Sequence, residues 1–442
     1  MHTDIPKSLT LIAILLLVSI ASAQPRLVPQ KVATKDGRSF TLSLPAEFEV
    51  IPAAEGLKRV RFFAKAPDGR IFVTDLYNLT DNKRGVIYIL DGWNERTGKF
   101  AKVVPYMTGL HNPNSVQFYV DDNGQDWIYI AETEKLTRRK FTKGEEKPTE
   151  QKPHTVATFP DYGLSYKYGG WHLTRTIAFA PNGKMYVSVG SSCNSCEEKE
   201  DVRATVLEMN PDGSGQRIFA RGLRNAVGLR AFGNFVFSTN QGSDHLGLQK
   251  PDETFYALKN GADYGWPYCH SYEGKIFPDP KLKRSGGCTN VTAPYAFFPA
   301  RSSALGFDYF DDPLSLESIN KGFLVALHGS TNKTIGHGYK IVIMRKGEKL
   351  QDFITGFLQK GVVNGRPCDI LKIGPDSFLF TDDNKGIIYL VRRKGSSTPI
   401  TSEQQAEPAP ASTIFTDQPA QSRSCFPFAA LLPILFLMIH KN

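Results

Sequence analysis

Six short apolar segments recur along this chain in the same setting, and they limit its fold more than any other feature. They are residues 70–75, 126–131, 184–189, 234–239, 322–327 and 377–382. Each is rich in β-branched and aromatic residues, as a strand buried on both faces is. Most follow a turn: Pro67-Asp68-Gly69, Asp122-Asn123-Gly124, Pro181-Asn182-Gly183 or Pro375-Asp376. Most are preceded by a second apolar stretch, such as 176–179 or 369–373, and followed by a third, clearest at 85–90, 204–209, 339–344 and 386–391. With Thr74, Ala131, Ser188, Thr239, Ala326 and Thr381 as equivalents, the intervals are 57, 57, 51, 87 and 55 residues. A period in the fifties with several strands per unit is that of a β-propeller blade. The prediction is an all-β, six-bladed β-propeller over residues 30–395. The interval of 87 marks an insertion between the fourth and fifth blades, carrying Cys269 and Cys288.

The 442 residues are 41% hydrophobic and 22% charged, a globular balance that excludes disorder and fibres. The surplus of 53 basic over 44 acidic residues, a net +9, is one that nucleic-acid binders share. The chain ends argue against that class. Lys7 precedes an apolar run over 9–20 and then Ala21-Ser22-Ala23, the pattern of a cleaved secretory signal over 1–23. The run is shorter than the roughly 20 residues a membrane-spanning helix needs. The mature chain is therefore expected to begin at Gln24 and to be exported, with no nucleic-acid partner.

Residues 396–424 have the Ser, Thr, Pro, Gln and Ala composition of a linker, and 425–442 form a hydrophobic C-terminal tail. Ala411-Ser412-Thr413, a polar spacer and that tail read as a glycolipid-anchor signal, a short membrane anchor or a bacterial sorting tail. In each case the expectation is a secreted, extracellular propeller tethered to the outer face of the plasma membrane through its tail alone. Sequons at Asn78, Asn290 and Asn332 add candidate glycosylation sites.

Six cysteines fit an oxidising compartment. Cys193 and Cys196 form a C-x-x-C, which reads as a redox motif, half a zinc site or a loop disulfide. The acidic run Glu197-Glu198-Lys199-Glu200-Asp201 raises a thiol pKa rather than lowering it. The expected pairs are Cys193–Cys196 and Cys269–Cys288, with zinc held by those four as the alternative. No haem-attachment C-x-x-C-H is present, because Glu197 follows Cys196.

Five ordered motifs carry a resemblance. They are the run Tyr186–Glu198 around Gly190-Ser191-Ser192-Cys193, then Gly222-Leu223-Arg224-Asn225, Pro251-Asp252-Glu253, Asp263-Tyr264-Gly265-Trp266-Pro267, and His328-Gly329-Ser330-Thr331-Asn332 with Gly338-Tyr339-Lys340. Together they resemble the soluble glucose/sorbosone dehydrogenases that use pyrroloquinoline quinone (PQQ), closest to the sorbosone and fungal pyranose dehydrogenase branch. The likeness extends over most of residues 30–393.

The resemblance implies a role for each matching residue. His172 stands for the general base, an imidazole being mostly neutral at working pH. Arg224 and Asn225 match the pair near the quinone's reactive carbonyl, where a guanidinium stabilises arriving negative charge. Gln241, Lys340 and Arg366 match cofactor-binding positions. Gly242 and Ser243 match backbone ligands of a calcium ion, and Glu253 and Tyr264 match positions for substrate contact or a second, structural calcium. Asp252 matches a substrate position, and Asn114 is the nearest candidate for a polar residue that the family offers early in the chain. The segment 244–250 departs from the family by lacking its acidic run, which bears on calcium. The implied function is oxidation of a pyranose or aldose at its anomeric hydroxyl, with hydride passing to PQQ and electrons to an external acceptor, a haem protein such as a cytochrome or a small quinone. The alternative is a non-catalytic extracellular propeller binding a ligand or a cell-surface partner. A lactonase-type hydrolase is disfavoured because its central ion calls for Glu, Asn and Asp, whereas these loops offer Arg, Lys and His.

Overall fold

The computed structural model describes residues 26–160 and 172–400. The expected signal segment, the linker beyond residue 400, the tail with Cys425, and Gly170-Trp171 lie outside the described residues. Six antiparallel sheets form the body, and no α-helix occurs among the described residues. Blade one comprises Val60–Lys65, Ile71–Asp75, Gly85–Asn94 and Lys99–Leu110; blade two comprises Ser115–Val120, Asp126–Ala131, Lys135–Lys140 and His154–Thr158. Blade three comprises Arg175–Phe179, Met185–Val189, Thr205–Met209 and Arg217–Arg221; blade four, Leu229–Phe232, Phe235–Asn240, Glu253–Leu258 and Ala296–Phe298. Blade five comprises Ala304–Phe310, Gly322–Leu327, Lys340–Met344 and Gln351–Ile354. Blade six takes Pro367–Gly374, Ser377–Asp382 and Ile387–Arg393 from the end of the chain and Phe48–Glu55 from its start.

Every repeated segment is the second strand of its blade, buried from end to end in blades one, three, five and six. That explains the apolar runs: these strands have a neighbour on each edge and a sheet against each face. The long interval resolves differently from the expectation. The insertion falls inside the fourth blade, between its third strand and its outermost strand Ala296–Phe298. It carries the hairpin Cys269–Tyr272 and Lys275–Pro278, and its Ala262–Asp263 segment pairs in parallel with Arg217–Arg221 of blade three. The chain also stays packed to Ile400, past the expected boundary at 395. Trp93 donates its indole N–H to the Thr398 carbonyl at 2.7 Å, and Ile400 rests on the apolar cluster between blades six and one.

First strands of neighbouring blades line the central channel, and buried hydroxyls stitch them together. In blades one and six the first strand bulges near its start, which takes a backbone N–H out of the ladder. A second-strand threonine accepts that N–H and donates onward to the next blade. Thr74 accepts from Phe62 at 3.0 Å and donates to the Asn114 carbonyl at 2.8 Å. Thr239 joins Gly228 to Leu305, and Thr381 joins Asp369 to the Arg61 carbonyl at 2.8 Å, which closes the ring. Lower in the channel, Arg230 of blade four reaches Asp369 of blade six at 3.2 Å and Asp308 of blade five at 3.6 Å. Cys368 is wholly buried in an apolar plug with Phe62, Val227 and Leu305, where burial pushes its thiol up and keeps it inert.

Replacing Thr381 with valine keeps the shape and leaves a buried N–H and a buried carbonyl without partners. The expected loss is about 2–3 kcal/mol, read as a lower urea midpoint with an unchanged slope. An unchanged midpoint would show that the stitch is dispensable.

Candidate functional site

First and second strands run antiparallel, so loops entering first strands and loops leaving second strands share one rim of the propeller. Each blade places a polar residue there from its entering loop or the start of its first strand: Arg61, Asn114, His172, Arg224, Arg301 and Arg366 in blade order. The leaving loops add Ser191, the turn at 241–244, His328 and Asp383.

His172 has the geometry of a base. Its Nδ1 lies 3.0 Å from the Ser191 carbonyl and 2.8 Å from Ser191 Oγ. That hydroxyl gives its own proton to the Cys193 carbonyl at 2.7 Å, so Ser191 offers Nδ1 only acceptors. Nδ1 therefore carries the proton, and the lone pair falls on Nε2. Burial, reinforced by the charge of Arg224, holds the imidazole well below its usual 6.5 and so neutral. Gly190 is required beside it: a Cβ there would stand 2.5 Å from His172 Cβ and 2.9 Å from Asn225 Oδ1.

Arg224 is buried and binds two loops. It donates to the Asn194 carbonyl at 2.8 Å, to Asn194 Oδ1 at 2.9 Å and to the Gly242 carbonyl at 2.9 Å, with Asp244 at 3.7 Å. Burial lowers its pKa to about 10, which leaves it charged at neutral pH. The disulfide Cys193–Cys196 closes the small loop that presents Asn194. Asn225 donates to Gln241 Oε1 at 2.8 Å and takes the Gln241 N–H on its own carbonyl at 3.2 Å. His172, Arg224, Asn225 and Gln241 are thus brought together as expected from their motifs.

The calcium expectation fares differently. The Gly242 carbonyl accepts from Arg224, and the Ser243 carbonyl accepts from Arg301 at 3.0 Å. The donor set does not fit a divalent ion at that pair, because two guanidinium groups already stand against the oxygens. Glu253 instead accepts the Arg301 backbone N–H at 3.1 Å, and burial pushes its carboxyl up to about 7. Tyr264 is a core residue packed against the Tyr256 ring at a tilt, its hydroxyl accepting from the Lys259 N–H at 2.9 Å, so its side chain is not a metal ligand. Asp252 is also buried, holding Ser271 Oγ at 2.8 Å and the Gly274 N–H at 3.0 Å, and it serves the inserted hairpin rather than an open substrate surface. Asn114 is fully buried and its amide is spent on Arg61 at 3.1 Å and Thr176 at 2.9 Å, which removes it as a substrate contact.

Across the channel, Asp383 gathers Arg61 at 2.9 Å, Arg59 at 3.3 Å and His328 Nε2 at 2.7 Å, and those charges hold its carboxyl well below the usual range despite its burial. Arg366 donates to the Gly329 carbonyl at 2.7 Å and the Ser330 carbonyl at 2.9 Å while lying over the Tyr339 ring. Lys340 pairs with Asp352 at 2.8 Å on the neighbouring strand. Among the described residues, the buried oxygens Ser195 Oγ, Ser302 Oγ and Asn384 Oδ1 have no hydrogen-bond partner in the chain. These orphans stand on rim loops of blades three, five and six and suit a polar, oxygen-rich ligand.

Both expected disulfides are present, which sets aside zinc at the four cysteines. Asn290 and Asn332 are exposed and Asn78 is half-buried. Sequence reasoning missed Arg301, Arg61 and Asp383, although each sits at the blade position that supplied His172 or His328. It also missed His245, His270 and Asp279, where both imidazole Nε2 atoms lie 2.8 Å from Asp279 Oδ2.

Asp382 yields a pH prediction. Burial, then the charge of Asp383, raises its carboxyl to about 7 against an ordinary 3.8. The folded chain therefore keeps a proton that the unfolded chain releases, and stability falls as pH rises from about 4 to about 7, by on the order of 2–4 kcal/mol. Asp382→Asn is expected to flatten that part of the Tm-against-pH curve. An unchanged slope would contradict the assignment.

No protein-family profile matches the chain. An uncharacterized protein of Borreliella burgdorferi is 27% identical over 367 residues, covering 79% of this chain and 90% of that one. Among solved structures, the holo form of the PQQ domain of pyranose dehydrogenase from Coprinopsis cinerea is similar with a TM-score of 0.64 at 17% identity, over 80% of this chain and 97% of that one. A calcium structure of a Trichoderma reesei carbohydrate-active enzyme of family AA12 gives a TM-score of 0.63 at 16% identity, over 84% and 98%. At such identity the likeness speaks for the fold: the chain is a six-bladed β-propeller of the architecture found in PQQ-domain sugar dehydrogenases.

Proposed function

We propose that this chain is a quinoprotein dehydrogenase that oxidises a pyranose or related aldose at its anomeric hydroxyl. The observation that carries the reading is the placement of His172 on the rim, its Nδ1 3.0 Å from the Ser191 carbonyl and 2.8 Å from Ser191 Oγ, beside the buried guanidinium of Arg224. Residues at the rim fit PQQ through Arg224, Asn225, Gln241 and Arg366, with the orphaned oxygens of Ser195 and Ser302 nearby. When bound, PQQ would supply the hydride acceptor. His172 Nε2 takes the proton of the sugar hydroxyl as the C–H bond breaks, and Ser191 keeps the ring from turning. Arg224 remains positive throughout and, fixed on Asn194 and Gly242, holds that charge in place without reorganising. Lys340 is held by Asp352 and contributes positive charge at a distance. The electrons then leave to an external acceptor, a haem protein or a small quinone. The signal-like start and apolar tail support an exported protein tethered at the cell surface.

The test is titration of the purified full chain with PQQ, followed by dye-coupled oxidation of an aldose panel. Saturable binding and sugar-dependent dye reduction are expected, with His172→Ala lowering turnover by about 10²–10⁴ while binding survives. Because His172 is held neutral, the acid limb of the rate profile is expected below pH 6.5. Absence of saturable binding would overturn the proposal in favour of a ligand-binding propeller without catalysis.

A further inference from the structure

The turn after the second strand of blade four is wrapped around a side chain from blade five. Arg301 donates one terminal nitrogen to the Ser243 carbonyl at 3.0 Å and to Asp244 Oδ1. Its other terminal nitrogen donates to the Asp244 carbonyl at 2.8 Å and to the Gly247 carbonyl. Arg224 takes the remaining carbonyl of the group, Gly242, at 2.9 Å. Converging carbonyls plus a carboxylate are what a hard cation asks of a loop. Here the planar fork of a guanidinium meets those acceptors instead.

The backbone is built to deliver it. Arg301 sits in the left-handed region at φ +68°, as does Ser303 at +51°, an arrangement a non-glycine residue keeps only when its surroundings enforce it. Glu253 enforces it by accepting the Arg301 N–H at 3.1 Å. The charge count agrees: Asp244 is the one carboxylate within the turn, shared between Arg301 and, at 3.7 Å, Arg224, while burial pushes the carboxyl of Glu253 beside them up to about 7. A divalent ion brought to the same oxygens would face two guanidinium groups with one carboxylate already spent.

We propose that the guanidinium of Arg301 is the resident cation of the 242–247 turn, occupying the place of a divalent metal, so that the site takes an anionic ligand without calcium. The metal-free turn stands on this geometry alone; the identity of the ligand rests on the dehydrogenase reading above. Arg301 is a positioning residue, acting through the Gly242–Gly247 backbone.

The experiment is a thermal melt and a PQQ titration of the full chain, each in EDTA and in saturating calcium. For the natural sequence the Tm and the Kd are expected to agree within about twofold in Kd between the two conditions. Arg301→Gln is expected to lower the Tm in EDTA and to weaken PQQ binding by about tenfold or more. Calcium should restore part of both, because the vacated oxygens then face a single guanidinium. Should Arg301→Gln fail to fold, Arg301→Lys keeps the charge but not the fork, and a lower Tm that ignores calcium is expected. An EDTA-sensitive Tm or Kd in the natural sequence would overturn the proposal. If PQQ does not bind at all while the melt ignores calcium, the dehydrogenase reading falls and the assignment of Arg301 stands.

Discussion

A ring of six sheets must be closed against the drift of its first blade from its last, and everything on the rim depends on that closure. Here the start of the chain supplies the outer strand of the last blade. Phe48–Glu55 pairs along its whole length with Ile387–Arg393, from Phe48 opposite Arg393 to Glu55 opposite Ile387. The pairing joins residues more than 300 positions apart, so its loop-closure cost is met once for the whole fold. At the channel wall Thr381 completes the same junction by donating to the Arg61 carbonyl.

The stitches that hold the ring also generate the site. In blades one and six a bulge at the start of the first strand frees a backbone N–H for a threonine hydroxyl. Arg61, at the blade-one bulge, and Asn114, ahead of the first strand of blade two, are bonded to each other across the two blades, and Arg61 also reaches Asp383 on the other side of the closure. The described rim side chains are each held by fixed partners. His172 is fixed by Ser191, Arg224 by Asn194 and Gly242, and Arg366 by the 329–330 carbonyls. Positive charge is concentrated there while its hydrogen-bonding capacity is largely met by carbonyl oxygens, which avoids the cost of bare buried cations.

That economy explains why the metal expectations and the geometry part ways. A guanidinium and a calcium ion compete for the same carbonyl oxygens, and the backbone at Arg301, held by Glu253 at φ +68°, brings the guanidinium onto them. Glu253 and Asp252, which looked like ligands, are buried supports for that backbone and for the 271–274 hairpin.

The sequence by itself determined the blade count and the second strands from apolar runs after a turn, at intervals in the fifties but for one, and both disulfides from pairs of cysteines 3 and 19 residues apart. The resemblance carried by the motifs singled out His172, Arg224, Asn225 and Gln241, and the structure sets them on one rim. The sequence did not determine that the insertion lies within blade four, that the packed chain reaches Ile400, or that Asn114 and Tyr264 are turned inward, for these depend on pairings across 30 or more residues and on which face a side chain takes. Arg301 shows the limit most plainly. Its blade position marks it only as a rim residue, and only the approach of blade five to the turn of blade four sets its guanidinium among the carbonyls of Ser243, Asp244 and Gly247.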